Sequence, residues 1–106
     1  MRQITERTCE AFRNTRPIKI SNSEVKIEPS GNAYYRLHWN LIALYSPRAK
    51  ELTIRDCGRQ TQTTRDRLNW ILQEFGLWKI IQEDWTWYYA NQDWRKRRNW
   101  QMFFNF

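Results

Sequence analysis

The stretch from Thr61 to Gly76 constrains the fold more than any other part of the chain. Its large apolar residues recur at i, i+3, i+4 and i+7, which is the spacing of one face of an α-helix: Leu68, Ile71, Leu72 and Phe75. Thr63 is placed to cap the start, Asp66 follows three residues later, and Gly76 supplies the stop. We therefore predict an amphipathic helix here, with its apolar stripe in the core.

Trp70 lies on the other side of this predicted helix. At about 100° per residue it points away from the stripe, among Asp66, Gln73 and Glu74. Two interpretations are open. A cover from the C-terminal segment would bury the ring; otherwise Trp70 is an exposed anchor of the kind that dominates protein interfaces. Trp70 is therefore a candidate partner-binding residue.

Two arginines, Arg65 and Arg67, flank the same stripe. Either side chain is long enough to cross the sheet and pair with Asp56, or to meet a phosphate at the helix N-terminus. The first arrangement would be structural, and the second would bind a ligand.

The rest of the chain predicts one more helix and several strands. Residues 3–15 favour a helix that ends before Pro17. Further on, the apolar period changes from helical spacing to alternation, which predicts three strands joined by short connections and then a hairpin. The three strands are 24–28, 34–45 and 51–56, and the hairpin strands are 78–82 and 85–90.

The longest strand candidate has two different faces. One carries apolar side chains, namely Tyr35, Leu37, Trp39, Leu41 and Ala43, and the other carries Arg36, His38 and Asn40. We predict that the sheet contributes Leu37, Leu41, Leu52 and Ile54 to the core. The fold class is α+β: an N-terminal helix, a three-stranded antiparallel meander, one central amphipathic helix and a C-terminal β-hairpin with a basic and aromatic tail.

The length and charge of the chain narrow the class of protein. Its 106 residues fit one domain, 1–106, in which residues 94–106 form a basic and aromatic C-terminal extension. A formal net charge of +7 favours polyanionic partners. The N-terminus has no apolar secretion signal, no run approaches transmembrane length, and two cysteines make no disulfide framework. We expect a cytoplasmic protein without a membrane partner.

The sequence contains few residues that could act in catalysis. His38 is the single histidine, and neither a carboxylate nor a nucleophile is indicated beside it, so a structural hydrogen bond is the expected role. Cys57 is expected to be a small buried hydrophobe. The spacing of Cys9, Cys57 and His38 is not that of a zinc site, and three glycines form no phosphate loop. We expect no enzymatic activity, no cofactor and no metal.

The segment 94–100, WRKRRNW, carries the strongest functional signal. Its candidate binding residues are Trp94, Arg95, Lys96, Arg97, Arg98 and Trp100. Four consecutive cations cannot all face a core, so this run is either a solvated turn or a binding segment. Arginine between tryptophans suits a single-stranded nucleic acid, since the cations meet the phosphates and the rings stack on bases. An acidic protein, or the guide RNA of a nucleoprotein, fits the run equally well.

Four segments resemble a family of small phage and prophage proteins. They are LHWNLIA at 37–43, LTIRDCG at 52–58, TTRDRLN at 63–69 and IIQEDWTWYY at 80–89. The family pattern has Leu-His-Gly-Asn, Ile-Ala, a Gly, a Thr-Thr-x-x-Arg-Leu-Asn helix, a Gln-containing strand and an aromatic strand. The resemblance covers roughly residues 20 to 94, and TTRDRLN is its most specific part.

The chain departs from that pattern in two places. Trp39 stands where the family has Gly, and the helix continues through Trp70 to Phe75. The basic segment also lies outside the pattern. The resemblance implies a phage accessory protein in the host cytoplasm and implies no reaction. Both Arg65 and Arg67 lie in the segment that matches the family motif, and the resemblance favours their structural role.

Two functions agree with these observations. The first is an inhibitor that binds a host protein or nucleoprotein, such as a CRISPR effector or another defence complex. The second is a stand-alone nucleic-acid-binding protein that contacts the RNA or DNA backbone. Surface tryptophans and the departures from the family pattern at Trp39 and Trp70 favour the first, and the charge of +7 favours the second. From the sequence we therefore expect the inhibitor, with nucleic-acid binding as the alternative. The oligomeric state does not follow from either.

Overall fold

The computed structural model describes residues 2–90, 92–93 and 101–106 as an α+β fold with two helices and antiparallel strand pairing. The helices are α1 (Arg2–Arg13) and α2 (Gln62–Glu74). The strands are β1 (Ile18–Ile20), β2 (Ser23–Ile27), β3 (Ala33–Leu37), β4 (Asn40–Ser46), β5 (Glu51–Arg55), β6 (Ile81–Glu83), β7 (Thr86–Tyr89), β8 (Gln92–Asp93) and β9 (Gln101–Asn105). A six-stranded sheet has the order β1-β2-β3-β4-β5-β9, and a three-stranded sheet has the order β6-β7-β8.

Helix α2 confirms the helix predicted from the apolar stripe. Leu68, Ile71 and Leu72 are completely buried, and Phe75 is half-buried. The helix ends in a Schellman motif, in which Leu77 N–H donates to Leu72 O at 2.9 Å, and Gly76 supplies the positive φ of +70° that this ending requires. The predicted start was wrong by two residues.

The N-cap of α2 is Thr61 and not Thr63. The Thr61 Oγ1 atom accepts a hydrogen bond from Thr64 N–H at 3.2 Å. Both threonines have the right chemistry for a cap, so composition alone does not choose between them. Tertiary packing does, because Thr64 is buried and belongs to the first turn of the helix.

The segment 34–45 is not one strand. It forms β3 and β4, which are joined by the two residues His38 and Trp39 with φ of 49° and 70°. Positive φ at both central residues is the geometry of a type I′ hairpin turn, which reverses the chain and matches the twist of the two strands. The predicted three-stranded meander is therefore a four-stranded one, β2 to β5.

The face assigned to Leu41 was also wrong. Tyr35 lies opposite Ala43, but the next residue, Arg36, lies opposite Leu41, so Ile42 is an extra residue in β4. Because of this bulge the consecutive residues Ile42 and Ala43 both face the core, where each is 1% exposed. Leu41 is half-buried on the same side of the sheet as Arg36.

The remaining differences lie at the two edges of the large sheet. Strand β1 is three residues long and pairs with β2, and β9 pairs with β5 so that Phe104 lies opposite Leu52. Neither strand was predicted. The predicted C-terminal hairpin is present as β6 and β7, and β8 adds a third strand beside it.

One face of the large sheet, the inner face, is covered by the two helices. A row of its side chains crosses four strands and is at most 1% exposed: Val25, Tyr35, Ala43 and Ile54. Helix α1 packs on this row through a 2.7 Å hydrogen bond between Thr8 Oγ1 and the Tyr35 hydroxyl, and through the Phe12 ring. Neither helix in the described chain has the length and apolarity that crossing a bilayer requires.

The small sheet packs on the same side as the helices. Trp87 is 1% exposed and belongs to the core. Asn69 of α2 holds the chain just before β6, because its amide accepts from Ile80 N–H at 2.6 Å and donates to Ile80 O at 3.1 Å. The Tyr89 ring meets the edge of Phe104, with centroids 5.5 Å apart. The helices and the small sheet thus pack on one face of the large sheet. No element of the described chain packs on the opposite face.

Candidate functional site

The face of the six-stranded sheet that points away from the helices, here called the outer face, carries an uninterrupted cross-strand row. The register places five residues side by side on β2, β3, β4, β5 and β9: Lys26, Tyr34, Leu44, Thr53 and Phe103. Each is the sequence neighbour of an inner-face residue, and side chains alternate along a strand, so this row faces outward. All five are half-buried or exposed.

The outer face carries more cations than carboxylates. A second row crosses Lys19, Glu24 and Arg36, and Arg55 stands outward at the end of β5. The outward cations are Lys19, Lys26, Arg36 and Arg55, and the outward carboxylates of the strands are Glu24 and Glu51. A surface of this composition attracts phosphate groups over a range of about a Debye length.

Two aromatic rings stand among these cations. Phe103 is 67% exposed, which is unusual for a phenylalanine in a strand. A hydrogen bond to Glu28 raises the pKa of the Tyr34 hydroxyl above its usual range, so Tyr34 is neutral at physiological pH, and the Arg36 guanidinium lies 6.0 Å from its ring centroid. Tyr34 and Phe103 lie three strands apart, roughly 14 Å at the usual strand spacing.

A third ring, Trp39, stands at one end of the outer face. It is 79% exposed at the tip of the β3–β4 hairpin, and the Lys19 ammonium lies 5.5 Å from the centre of its ring. Its φ of 70° is favourable for glycine and strained for a bulky residue. A large apolar ring held out in solvent on a strained turn has no structural benefit, so Trp39 is a candidate contact residue.

Trp85 occupies the same position in the other two-residue turn. Asp84 and Trp85 join β6 to β7 with φ of 49° and 63°, and Trp85 is 90% exposed. Trp39 and Trp85 are thus a matched pair: the same residue, at the second position of the same kind of turn, on two different sheets.

We expect Trp85→Gly to raise the free energy of unfolding by about 1 kcal/mol, because glycine adopts the left-handed conformation without the Cβ clash of a bulky residue. Urea denaturation of the variant and the wild type measures the change. Trp78→Gly is the matched control, since Trp78 is also exposed but has no positive φ. Equal stabilisation by both changes would show that turn strain is not the cause.

A separate apolar surface surrounds the β6–β7 hairpin. Trp78 is 71% exposed and Ile81 is 51% exposed, and with Tyr88 they line an open groove of about 570 Å³. Ile81 lies directly opposite Tyr88 in the strand register, so the two side chains share one face of the small sheet. This surface could accept an apolar segment of another protein.

The structure places Trp70 differently from an exposed anchor. Its ring is half-buried and packs against the hydrophobic core. Among the described residues, the core against which Trp70 packs is formed by the helices and sheets of the domain itself. Candidate residues Trp94, Arg95, Lys96, Arg97, Arg98 and Trp100 lie outside the described residues.

Arg67 has a structural environment, although its partner is not Asp56. The side chain is 4% exposed, donates to Thr5 Oγ1, and donates through Nε to Ser23 Oγ at 3.3 Å. Arg65 instead donates to Gln82 Oε1 at the surface and ties α2 to β6. Neither guanidinium therefore directs unpaired N–H donors toward the N-terminus of α2, where a phosphate was the alternative partner predicted from the sequence.

The cysteines and the histidine are held by the fold. Burial raises the pKa of the Cys9 thiol to about 12 and also raises that of Cys57, whose Sγ donates to Leu41 O at 3.0 Å. Both thiols therefore stay protonated and poorly nucleophilic near neutral pH. His38 Nε2 lies 3.0 Å from Asn22 Nδ2 in a hydrogen bond. Within the described ranges, no cluster of His, Cys, Asp and Glu has the composition of a metal site.

Three exposed candidate contact residues of the structure were not predicted from the sequence: Trp39, Trp85 and Phe103. The signal for Trp39 was present in the resemblance, because a Gly after His38 between two alternating segments is typical of a two-residue hairpin turn. Asp84 gives the same signal for Trp85, since aspartate is favoured at positive φ. No comparable signal identifies Phe103, because a terminal MFFNF gives no register.

Comparison with known proteins agrees with the phage resemblance. Neither the curated proteins nor the solved structures contain a match to this chain. A family model described as Kyanoviridae Gp96 protein matches residues 1–105, which is nearly the whole chain and includes β9. The chain therefore belongs to the Kyanoviridae Gp96 protein family, a family of phage proteins.

Proposed function

We propose that this phage protein binds single-stranded nucleic acid on the outer face of the six-stranded sheet. The observation that carries the proposal is the row Lys26–Tyr34–Leu44–Thr53–Phe103, which sets a cation and two aromatic rings in one line across a face that no described helix covers. Small RNA-binding domains use the same arrangement, an open sheet with rings on which unpaired bases stack.

The chemistry of the face matches both parts of a nucleotide. Lys19, Lys26 and Arg36 can neutralise phosphates, while Tyr34 and Phe103 offer π-faces to bases. The roughly 14 Å between the rings gives room for a short run of nucleotides between them. The net charge of +7 supports association with a polyanion.

A single strand fits this face better than a duplex does. Bases in a duplex are already stacked and paired, so they cannot lie on Tyr34 or Phe103 without being pulled out of the helix at a cost of a few kcal/mol. The outer face also presents no helix that could enter a major groove, because α1 and α2 pack on the opposite side. We therefore assign duplex DNA no specific mode of binding here.

The second candidate function is inhibition of a host protein or nucleoprotein, as in an anti-CRISPR protein. Its support is the groove that Trp78, Ile81 and Tyr88 line, together with Trp85 in the turn of the same hairpin. Trp78, Ile81 and Trp85 are 71%, 51% and 90% exposed. Exposed tryptophans are enriched among the residues that dominate protein interfaces. The groove beside them is large enough for side chains of a partner. The basic segment 94–100 suits either function.

The deciding experiment measures fluorescence anisotropy of labelled 12-nucleotide DNA and RNA strands, and of a duplex of the same sequence, with the purified protein. We expect saturable binding of the single strands and at least about tenfold weaker binding of the duplex. Equal binding of duplex and single strand would show that the interaction depends on charge alone and not on stacking. Absence of binding, together with nuclease-resistant recovery of one host protein from a lysate, would favour the inhibitor.

Phe103→Ala is expected to weaken binding of the 12-nucleotide strands by about 1–3 kcal/mol, the usual cost of losing one base–aromatic stack. Trp78→Ala is the matched control, because it removes a similarly exposed ring from the other surface. Circular dichroism confirms that both variants fold. If Trp78→Ala loses affinity and Phe103→Ala does not, the strand binds beside the β6–β7 hairpin and not on the outer face.

A further inference from the structure

A small pocket lies at the end of the outer face, where two hairpin turns meet. Ser21 and Asn22 form the β1–β2 turn, and His38 and Trp39 form the β3–β4 turn. The turns are joined by a backbone hydrogen bond from His38 N–H to Asn22 O at 2.8 Å. The pocket has a volume of about 120 Å³, and its charged and aromatic lining consists of Lys19, Glu24, Arg36, His38 and Trp39.

The Trp39 ring forms one wall of this pocket. The Lys19 ammonium lies 5.5 Å from the ring centre, and 79% of the residue remains exposed, so ring surface is available to a base. Tryptophan offers the largest π-surface of any side chain, and a base that stacks on it gains affinity without regard to sequence. The lysine stands where it can meet the phosphate of the same nucleotide.

A hydrogen-bond chain from the core fixes the polar side of the pocket. The buried Arg67 donates through Nε to Ser23 Oγ at 3.3 Å, and Ser23 Oγ donates to Asn22 Oδ1 at 3.1 Å. Asn22 Nδ2 then lies 3.0 Å from His38 Nε2. Each link sets the orientation of the next group, so the two turns are preorganised, which lowers the entropy cost of binding.

Glu24 supplies an acceptor that nothing else in the described chain uses. The register places it between Lys19 and Arg36, yet within the described residues its carboxylate makes neither a hydrogen bond nor an ion pair within 4.0 Å. A carboxylate beside a stacked base accepts two parallel hydrogen bonds most readily from guanine, whose Watson–Crick edge carries the adjacent donors N1–H and N2–H₂.

We propose that this pocket binds one unpaired guanine of the strand that lies on the outer face. The base stacks on Trp39, its Watson–Crick edge donates to Glu24, and its phosphate lies against Lys19 or Arg36. This inference rests on the proposed binding of single-stranded nucleic acid. It adds a base preference that the outer-face row, with its rings and cations alone, does not provide.

The test compares fluorescein-labelled 12-mers of thymidylate that carry one central guanine, adenine or cytosine, or none. Wild-type protein is expected to bind the guanine strand at least about fivefold more tightly than the plain thymidylate strand, a ratio typical of one bidentate contact. Glu24→Gln should abolish that preference, so that the variant binds the guanine strand and the plain thymidylate strand with equal affinity. Trp39→Gly should weaken binding of all four strands by about fivefold or more.

Trp85→Gly is the matched control for Trp39→Gly. Both changes remove an exposed tryptophan from the second position of a strained two-residue turn, where glycine is favoured, so both variants are expected to fold. Only the change at Trp39 should alter binding. Binding without a guanine preference, or equal effects of the two changes, overturns the pocket while the proposed function stands. If no strand binds at all, both proposals fail.

Discussion

Replacing Leu68 by alanine is expected to lower the free energy of unfolding by about 2–5 kcal/mol, the range for a large-to-small change in a packed core. Leu68 is 0% exposed and belongs to the core cluster that joins α2 to the inner face of the large sheet. Deleting three side-chain carbons there leaves a cavity that neither sheet can close without moving strands. Urea denaturation followed by circular dichroism measures the change.

Leu44→Ala is the control for that prediction. It is the same chemical change on the outer face, where Leu44 is half-buried. Because solvent fills the space that is left, we expect a loss of less than half of that at Leu68. Equal losses at the two positions would mean that the outer face is covered as well as the inner one. That result would also remove the surface on which the proposed function depends.

The periodicity of residues 61–76 was sufficient to predict α2 and its buried stripe. A helix repeats every 3.6 residues, so Leu68, Ile71 and Leu72 must share one side wherever the helix packs. The same reasoning placed Trp70 on the opposite side, but it could not say what lies there. The half-burial of Trp70 depends on neighbours distant in the sequence, which no local period contains.

The break at His38 and Trp39 could not be predicted from alternation. A strand and a tight hairpin present the same apolar and polar alternation when the turn has only two residues. Glycine at position 39 would have marked the turn, and tryptophan conceals it because it is a good strand residue. Because the two-residue turn pairs Arg36 with Leu41, both lie on the outer face, which explains the wrong assignment of Leu41. The bulge at Ile42 comes only after that pair.

The outer face shows a more general limit. Alternation along β2, β3 and β5 separates two sets of side chains, but which set the helices cover is decided by tertiary packing. Lys26, Tyr34 and Thr53 were each readable as the polar side of a strand. Their arrangement in one row requires the register between strands, and Phe103 joins the row only because β9 pairs with β5. A binding surface built by register has no sequence motif.

Arg67 links the buried core of the protein to the turn at the end of the outer face. It is buried beside α1, and through Ser23 and Asn22 it holds the turn that carries the proposed guanine pocket. A buried guanidinium requires hydrogen-bond partners to offset its desolvation, and here those partners continue to the surface. Arg67 belongs to TTRDRLN, the most specific segment of the resemblance. Its own contacts are structural, but through Ser23 and Asn22 they also orient the groups of the candidate site.

Replacing Lys26, Arg36 and Arg55 by glutamine is expected to weaken single-strand binding more than any single change, up to about 10²–10³-fold near 50 mM salt. These cations stand outward on β2, β3 and β5, where a strand crossing the row would lay its phosphates. Each lost phosphate contact should also reduce the slope of log affinity against log salt by about 0.7. Anisotropy titrations at four salt concentrations give both quantities.

The control for this variant is a second triple change, Arg7, Arg59 and Lys79 to glutamine. These three side chains are exposed on α1 and on loops and belong to none of the outward rows of the large sheet, and both variants lower the formal net charge of +7 by the same amount. If long-range attraction alone holds the strand, the two variants lose affinity equally, because attraction by net charge does not depend on where a cation stands. If the strand binds on the outer face, only the first variant should show a smaller slope of log affinity against log salt. Counterions are released only where phosphates contact cations. A third outcome, in which both variants keep the slope of the wild type, would move the contacts to residues 95–98, whose four cations neither variant changes.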